Sequence, residues 1–201
     1  LFLLKKIKML KIAIITGSTR PTRICQKVAE WVYSIAEDQS NAIFELVDIA
    51  DYNLSMFDES FPSILGKYKH KHTKIWAKRI SEFDGFIFVT PEYNHSITGA
   101  LKNAIDFVYR EWNNKSAGFV SYGATGGLRA VEHLRLILSE VQIAHVRTQV
   151  SLSLHSDFDN FNSIAPRPFQ IQTLREMFEQ VVLWAHAFKI IREKELEKDS
   201  V

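Results

Sequence analysis

The chain has 201 residues, 46% hydrophobic and 24% charged, a balance that suits one packed domain over 1–201 and excludes a disordered or fibrous chain. A net charge of +2 gives no strong pull toward nucleic acid or an acidic membrane surface, and a single cysteine, Cys25, excludes an internal disulfide. No Cys/His spacing resembles a zinc site, so no metal is expected. The apolar run that opens the chain is four residues long, too short for a membrane span, and the expected location is cytoplasmic. Residues 1–8 are set aside as an annotation extension or a loose arm.

Lys11–Thr16 (KIAIIT) reads as a buried strand. Val28, Trp31, Val32 and Ile35 fall at helical spacing within a helix from about Ile24 to Glu37. A second strand at Ile43–Val47 is followed by a long irregular connection, Asp48–Tyr68. A helix over His72–Ser81 leads into Gly85–Thr90 (GFIFVT), whose continuous apolar character suits a central strand covered on both faces. Next come a helix over Leu101–Glu111, a strand at Ala117–Tyr122, a helix over Leu128–Glu140 and a strand at Ile143–Gln149. The last helix runs over Phe169–Lys194, and the charged end, Arg192–Asp199, reads as frayed. Phe107, Val108 and Trp112 give the third helix more apolar surface than one sheet face requires, which makes it a candidate dimer surface. Strands alternating with helices imply an α/β fold, a doubly wound five-stranded parallel sheet with helices on both faces.

In such a sheet, ligands bind beyond the carboxyl ends of the strands. Three of the loops there are informative. The first, Gly17-Ser18-Thr19-Arg20-Pro21-Thr22-Arg23, ends at a helix start, where unpaired N–H groups and the helix dipole favour an anion. Its hydroxyls and arginines suit a phosphate, yet it is neither G-x-G-x-x-G nor a Walker A loop. The second runs from Thr90 to Asn103 and offers Tyr93 as a flat face with a polar tip, Asn94 as both donor and acceptor, and Gly99 for close backbone approach. The third, Ser121-Tyr122-Gly123-Ala124-Thr125-Gly126-Gly127, has three glycines that let backbone N–H groups face a ligand. One loop for a phosphate and two for a planar ring together fit FMN. Read singly, each loop also fits an ordinary turn or helix cap.

GSTRPTR, PEYNHSITGALKNAIDF and SYGATGGLRAVEHLR resemble the three signature segments of the NADPH-dependent FMN reductase family. That resemblance implies a flavodoxin-like sheet of order 2-1-3-4-5 and a homodimer or homotetramer. It implies an oxidoreductase passing electrons from NADPH or NADH through bound FMN to flavin, quinone, chromate or an azo compound. Ser18, Arg20 and Arg23 would contact the FMN phosphate. Pro91, Glu92, Tyr93 and Asn94 would line the ribityl chain and ring, and Ser121, Tyr122 and Gly123 would border the ring's other side. Thr22, Cys25 and His95 stand where the family often has Gly, and Thr98 where Pro is common. A positive φ would strain Thr22, because a β-branched residue resists it.

By the same resemblance, hydride would pass from the nicotinamide to flavin N5, and no catalytic side chain would be required. Two rival functions are an electron-carrying flavodoxin, which is usually acidic, and a non-catalytic flavin-binding module. The sequence places no basic group for an adenosine 2′-phosphate.

Overall fold

A computed structural model of the chain describes residues 9–161 and 163–198, with backbone alone at 196–198. The strands expected from sequence form one parallel sheet, β1 (Leu10–Thr16), β2 (Ala42–Asp48), β3 (Gly85–Pro91), β4 (Lys115–Gly123) and β5 (Ile143–Ser153), in the order β2-β1-β3-β4-β5. A two-residue pair, β6 (Phe158–Asp159) and β7 (Ser163–Ile164), had no signal in the sequence. No described helix is long and apolar enough to cross a membrane.

The helices divide between the two faces because the strands alternate. Ile12, Ile14, Ile87 and Val89 point to one face and pack against α1 (Cys25–Ala36) and α5 (Pro168–Lys198). Ala13, Ile15, Phe86 and Phe88 point to the other, against α2 (Lys71–Ser81), α3 (Gly99–Asp106) and α4 (Leu128–Glu140). Two buried faces explain why β3 reads as an unbroken apolar run.

The third helix differs from its sequence reading. It ends at Asp106, and Phe107, Val108 and Trp112 are buried at 0%, 1% and 0% exposure, so they are core and not a dimer surface. The Trp112 indole folds back to donate to the Ile105 carbonyl at 3.1 Å, satisfying an acceptor that the helix end would otherwise leave unpaired. Its ring meets Phe86 edge-on, centroids 4.9 Å apart. The expected frayed end, Arg192–Asp199, differs at its start, while Asp199 lies outside the described residues. Arg192 pairs with Asp84 and donates to the Asn114 carbonyl at 2.7 Å, pinning the last turns of α5 to the amino end of the sheet.

Lys115 is buried beside that clamp. Its Nζ donates to the Ile80 carbonyl at 2.9 Å and lies 5.4 Å from the Phe86 ring centroid. Burial, with help from the Arg192 charge and against Asp84 and Glu111, pushes its pKa down to about 7. An unfolded lysine titrates near ~10.4, so between these values the unfolded chain binds more protons than the native one. Stability contributed by this site therefore rises with pH from about 7 toward 10, by at most about 1.4 kcal/mol per pH unit. Lys115→Met is expected to flatten the slope, measured by urea unfolding at pH 7.5 and 9.5. An unchanged slope would show that the site stays charged.

Candidate active site

β1 and β3 are neighbours, but the chain leaves them toward opposite faces, to α1 and to α3. Their loops consequently part above the sheet, as ligand sites in this architecture require. Gly17 stays close to β3, donating its N–H to the Val89 carbonyl at 2.7 Å, and a Cβ there would lie 2.9 Å from the same oxygen. The Thr98 hydroxyl donates to the Gly17 carbonyl and accepts from Leu101 N–H at 3.0 Å. One buried side chain thus caps α3 and ties the loop after β3 to the loop after β1.

In the first loop, the Ser18 hydroxyl is buried and accepts from the Arg20 N–H at 3.4 Å. The Tyr93 hydroxyl, from the second loop, lies 3.5 Å from Ser18 Oγ. Ile24 offers α1 no side-chain cap, so its first N–H groups face this loop without one. Arg20 is exposed, whereas Arg23 is turned away. Its guanidinium pairs with Asp48, which also accepts from Thr16 Oγ1 at 2.8 Å and Ala50 N–H at 3.0 Å. Arg23 therefore braces the end of β2.

Glu92 joins the second loop to the third. Its side chain is 6% exposed and pairs with Arg129 in the first turn of α4. Burial pushes the carboxyl up, but the Arg129 guanidinium holds it below the usual carboxylate range. The backbone N–H groups of Ala130 and Arg129, at the start of α4, stabilise the ionised carboxylate as well. Two glycines of the third loop, Gly126 and Gly127, serve the loop itself. Gly126 and Gly127 have φ of 76° and 73°, and a Cβ on Gly127 would fall 2.8 Å from Ser121 Cβ. The Ser121 hydroxyl donates to the Gly126 carbonyl at 2.8 Å, within its own turn.

These loops enclose a cavity of about 300 Å³. Arg20 and Ile24 form one side, Pro91, Glu92 and Tyr93 another, and Tyr122 with Gly123 the floor, while Leu154 and Phe161 close the side nearest β5. A larger opening of about 600 Å³ lies between residues 49–56 and the start of α3. No charged side chain lines it, so the smaller cavity, with the Arg20 cation and the phenols of Tyr93 and Tyr122, is the better anion and hydrogen-bonding site.

Residues 10–157 match the NADPH-dependent FMN reductase family. The chain belongs to that family. It is 40% identical over 149 residues to an NAD(P)H-dependent FMN reductase of Schizosaccharomyces pombe, covering 73% of this chain and 74% of the relative. It is 34% identical over 138 residues to a quinone reductase of Escherichia coli K12, covering 64% and 69% of the two chains. The fold matches that of the flavoenzyme NAD(P)H:(acceptor) oxidoreductase FerB of Paracoccus denitrificans, with a TM-score of 0.70 and 21% identity over 90% of this chain and 99% of that one. As a member of the FMN reductase family, the protein is an NAD(P)H-dependent oxidoreductase with a flavodoxin-like sheet.

Against that family site, the structure gathers Arg20, Pro91, Glu92, Tyr93, Tyr122 and Gly123 around one cavity. Ser18 joins them through Tyr93, Ser121 through its turn, and Asn94 is exposed at the tip of the second loop. Ile24, Leu154 and Phe161 escaped the sequence reading. Leu154 directly follows β5 at the carboxyl edge, a signal that was available. Nothing in the chain marked Phe161. The lining suits FMN, with a cation at Arg20 for a phosphate, a carboxylate at Glu92 for hydroxyls, and the phenols of Tyr93 and Tyr122 for a planar ring. Cys25 is no redox thiol. Its Sγ donates to the Val89 carbonyl at 3.3 Å, and burial pushes its pKa to about 11.

Arg23 N–H donates to the Arg20 carbonyl at 3.1 Å, which makes Arg20–Arg23 a turn with Pro21 first and Thr22 second in its centre. Thr22 has φ of 60°, a position suited to Gly. Thr22→Gly is expected to stabilise the protein by about 1–2 kcal/mol and raise Tm by a few degrees in calorimetry. A fall in Tm would mean that the threonine methyl or hydroxyl outweighs the strain.

Proposed function

We propose that this chain holds FMN in the cavity between the loops after β1, β3 and β4, and uses it to carry electrons from NADPH or NADH to a small acceptor such as flavin or quinone. The observation that carries this reading is the convergence of Arg20, Glu92, Tyr93, Tyr122 and Gly123, from the loops after β1, β3 and β4, on one cavity. FMN, when bound, supplies the hydride-accepting ring, and the protein's work is to bind and orient.

Ser18, the Arg20 backbone and the uncapped start of α1 are suited to the phosphate, and the Arg20 side chain adds a cation. Tyr93 closes over that loop with its hydroxyl and gives its ring to the cavity. Glu92, held ionised at neutral pH by Arg129, ties the second loop to the start of α4 that follows the third. The buried Tyr122 stays a neutral phenol, because burial drives its pKa far above the usual range. We infer a homodimer as the assembly. The exposed Met56, Phe57, Phe61, Ile64 and Leu65 of the β2–α2 connection support it in place of α3.

Titration with FMN followed by anaerobic mixing with NADPH is expected to bleach the flavin absorbance in one two-electron step. Binding without bleaching would instead indicate an electron carrier, and a failure to bind FMN would end the proposal. Alanine at Tyr93, Asn94 or Ser121 is expected to reduce turnover without abolishing it, since none acts as nucleophile or obligatory acid. Complete loss with FMN still bound would contradict that role. Sedimentation velocity is expected to show twice the chain mass, and a monomer would exclude the dimer.

A further inference from the structure

The tip of the β3–α3 loop is a two-residue turn. Tyr93 and Ser96 exchange both backbone hydrogen bonds, at 2.9 and 3.0 Å, and the two residues between them, Asn94 and His95, have φ of 48° and 73°. This is a type I′ arrangement, for which Asn-Gly is the favoured pair because both positions are left-handed. Asn94 suits the first position. His95 occupies the second at a cost that glycine would avoid. Strain retained beside a site is a reason to ask what the side chain does.

The His95 ring is exposed, and no described residue hydrogen-bonds to it. Its neighbour is the ring of His133 on α4, centroids 5.8 Å apart and planes at 48°. His133 is held in place by a contact of 2.9 Å between its Nδ1 and Ser96 Oγ, which leaves its Nε2 with no partner among the described residues. Two imidazoles at this separation can both donate to oxygens of one phosphate, and binding a dianion favours their protonated forms. The pair has charged neighbours on α4. Arg129, one turn before His133, gives its guanidinium to Glu92, and Glu132 is the acidic neighbour in the chain.

We propose that His95 and His133 form a phosphomonoester-binding pair on the rim of the cleft. It would take the 2′-phosphate of NADPH or the 5′-phosphate of FMN arriving as an acceptor, and so set which substrate is preferred. This rests on the reading of the chain as an FMN-dependent reductase.

The test uses the full chain loaded with FMN, and the variants His95→Gly and His133→Gln. Proton NMR during titration with 2′-AMP is expected to show saturable shifts of two imidazole signals, each missing in one variant. In steady-state assays, the NADPH-to-NADH ratio of kcat/KM is expected to fall about tenfold in both variants if the pair reads the donor, the size of one lost charge-assisted hydrogen bond. A fall instead in the FMN-to-riboflavin ratio assigns the pair to the acceptor. His95→Gly is expected to raise Tm while lowering the ratio, an outcome that damage to the fold cannot mimic. Absent NMR shifts, or shifts with both ratios unchanged, would overturn the proposal. The 2′-AMP titration is read without turnover, so it stays interpretable even if NADPH fails to reduce the flavin.

Discussion

β1 and β3 share a full ladder of parallel hydrogen bonds, yet the polypeptide leaves them toward opposite faces of the sheet. Everything at the carboxyl edge follows from that divergence. A gap must open where the two connections part, and backbone groups at its walls lose their neighbours. The chain limits the gap with very few atoms. Gly17 is small enough to let the first loop lie against β3, and the Thr98 hydroxyl fixes the second loop to the same peptide. Lose that contact and the start of α3, the Tyr93 turn and the first loop would no longer share a reference point.

The second constraint is electrostatic. Charged side chains near the cleft mostly neutralise one another, with Arg23 on Asp48, Arg129 on Glu92, and Arg167 on Asp157 behind β5. Each pair joins segments distant in sequence, and Glu92 and Asp157 are almost wholly withdrawn from water. Such pairs contribute little net attraction after desolvation, but breaking one leaves a stranded buried charge. Their effect is to specify which loop lies against which. Arg20 remains exposed, so the cation available to a ligand is singled out by the pairing of its neighbours.

Much of this was readable in the chain. Continuous apolar runs located the sheet strands, helical spacing the helices, and the carboxyl-edge rule the three loops, because those signals are set by burial on both faces of one sheet. Less legible was where a side chain turns. Phe107, Val108 and Trp112 continue a helical apolar pattern, but the Trp112 indole serves as the stop of the helix, and no periodicity encodes that. Arg23 has the composition of a phosphate ligand and the geometry of a brace, a distinction made by Asp48, 25 positions away. Gly126 and Gly127 look like room for a ligand, and the space beside them is taken by Ser151 and Ser121. Thr22 and His95 were legible as departures from glycine, and both do fall at positive φ.

The single sulfhydryl has a consequence for the molecules this fold can handle safely. Cys25 sits at the first turn of α1, next to the cleft in sequence, but its sulfur faces the interior and donates to a strand carbonyl. Quinone-type acceptors are electrophiles that alkylate accessible thiolates. A thiol sealed beneath the cleft floor and kept protonated offers them no target. The one sulfhydryl is thereby kept out of reach of electrophiles that enter the cleft, a protection built from the burial of one atom.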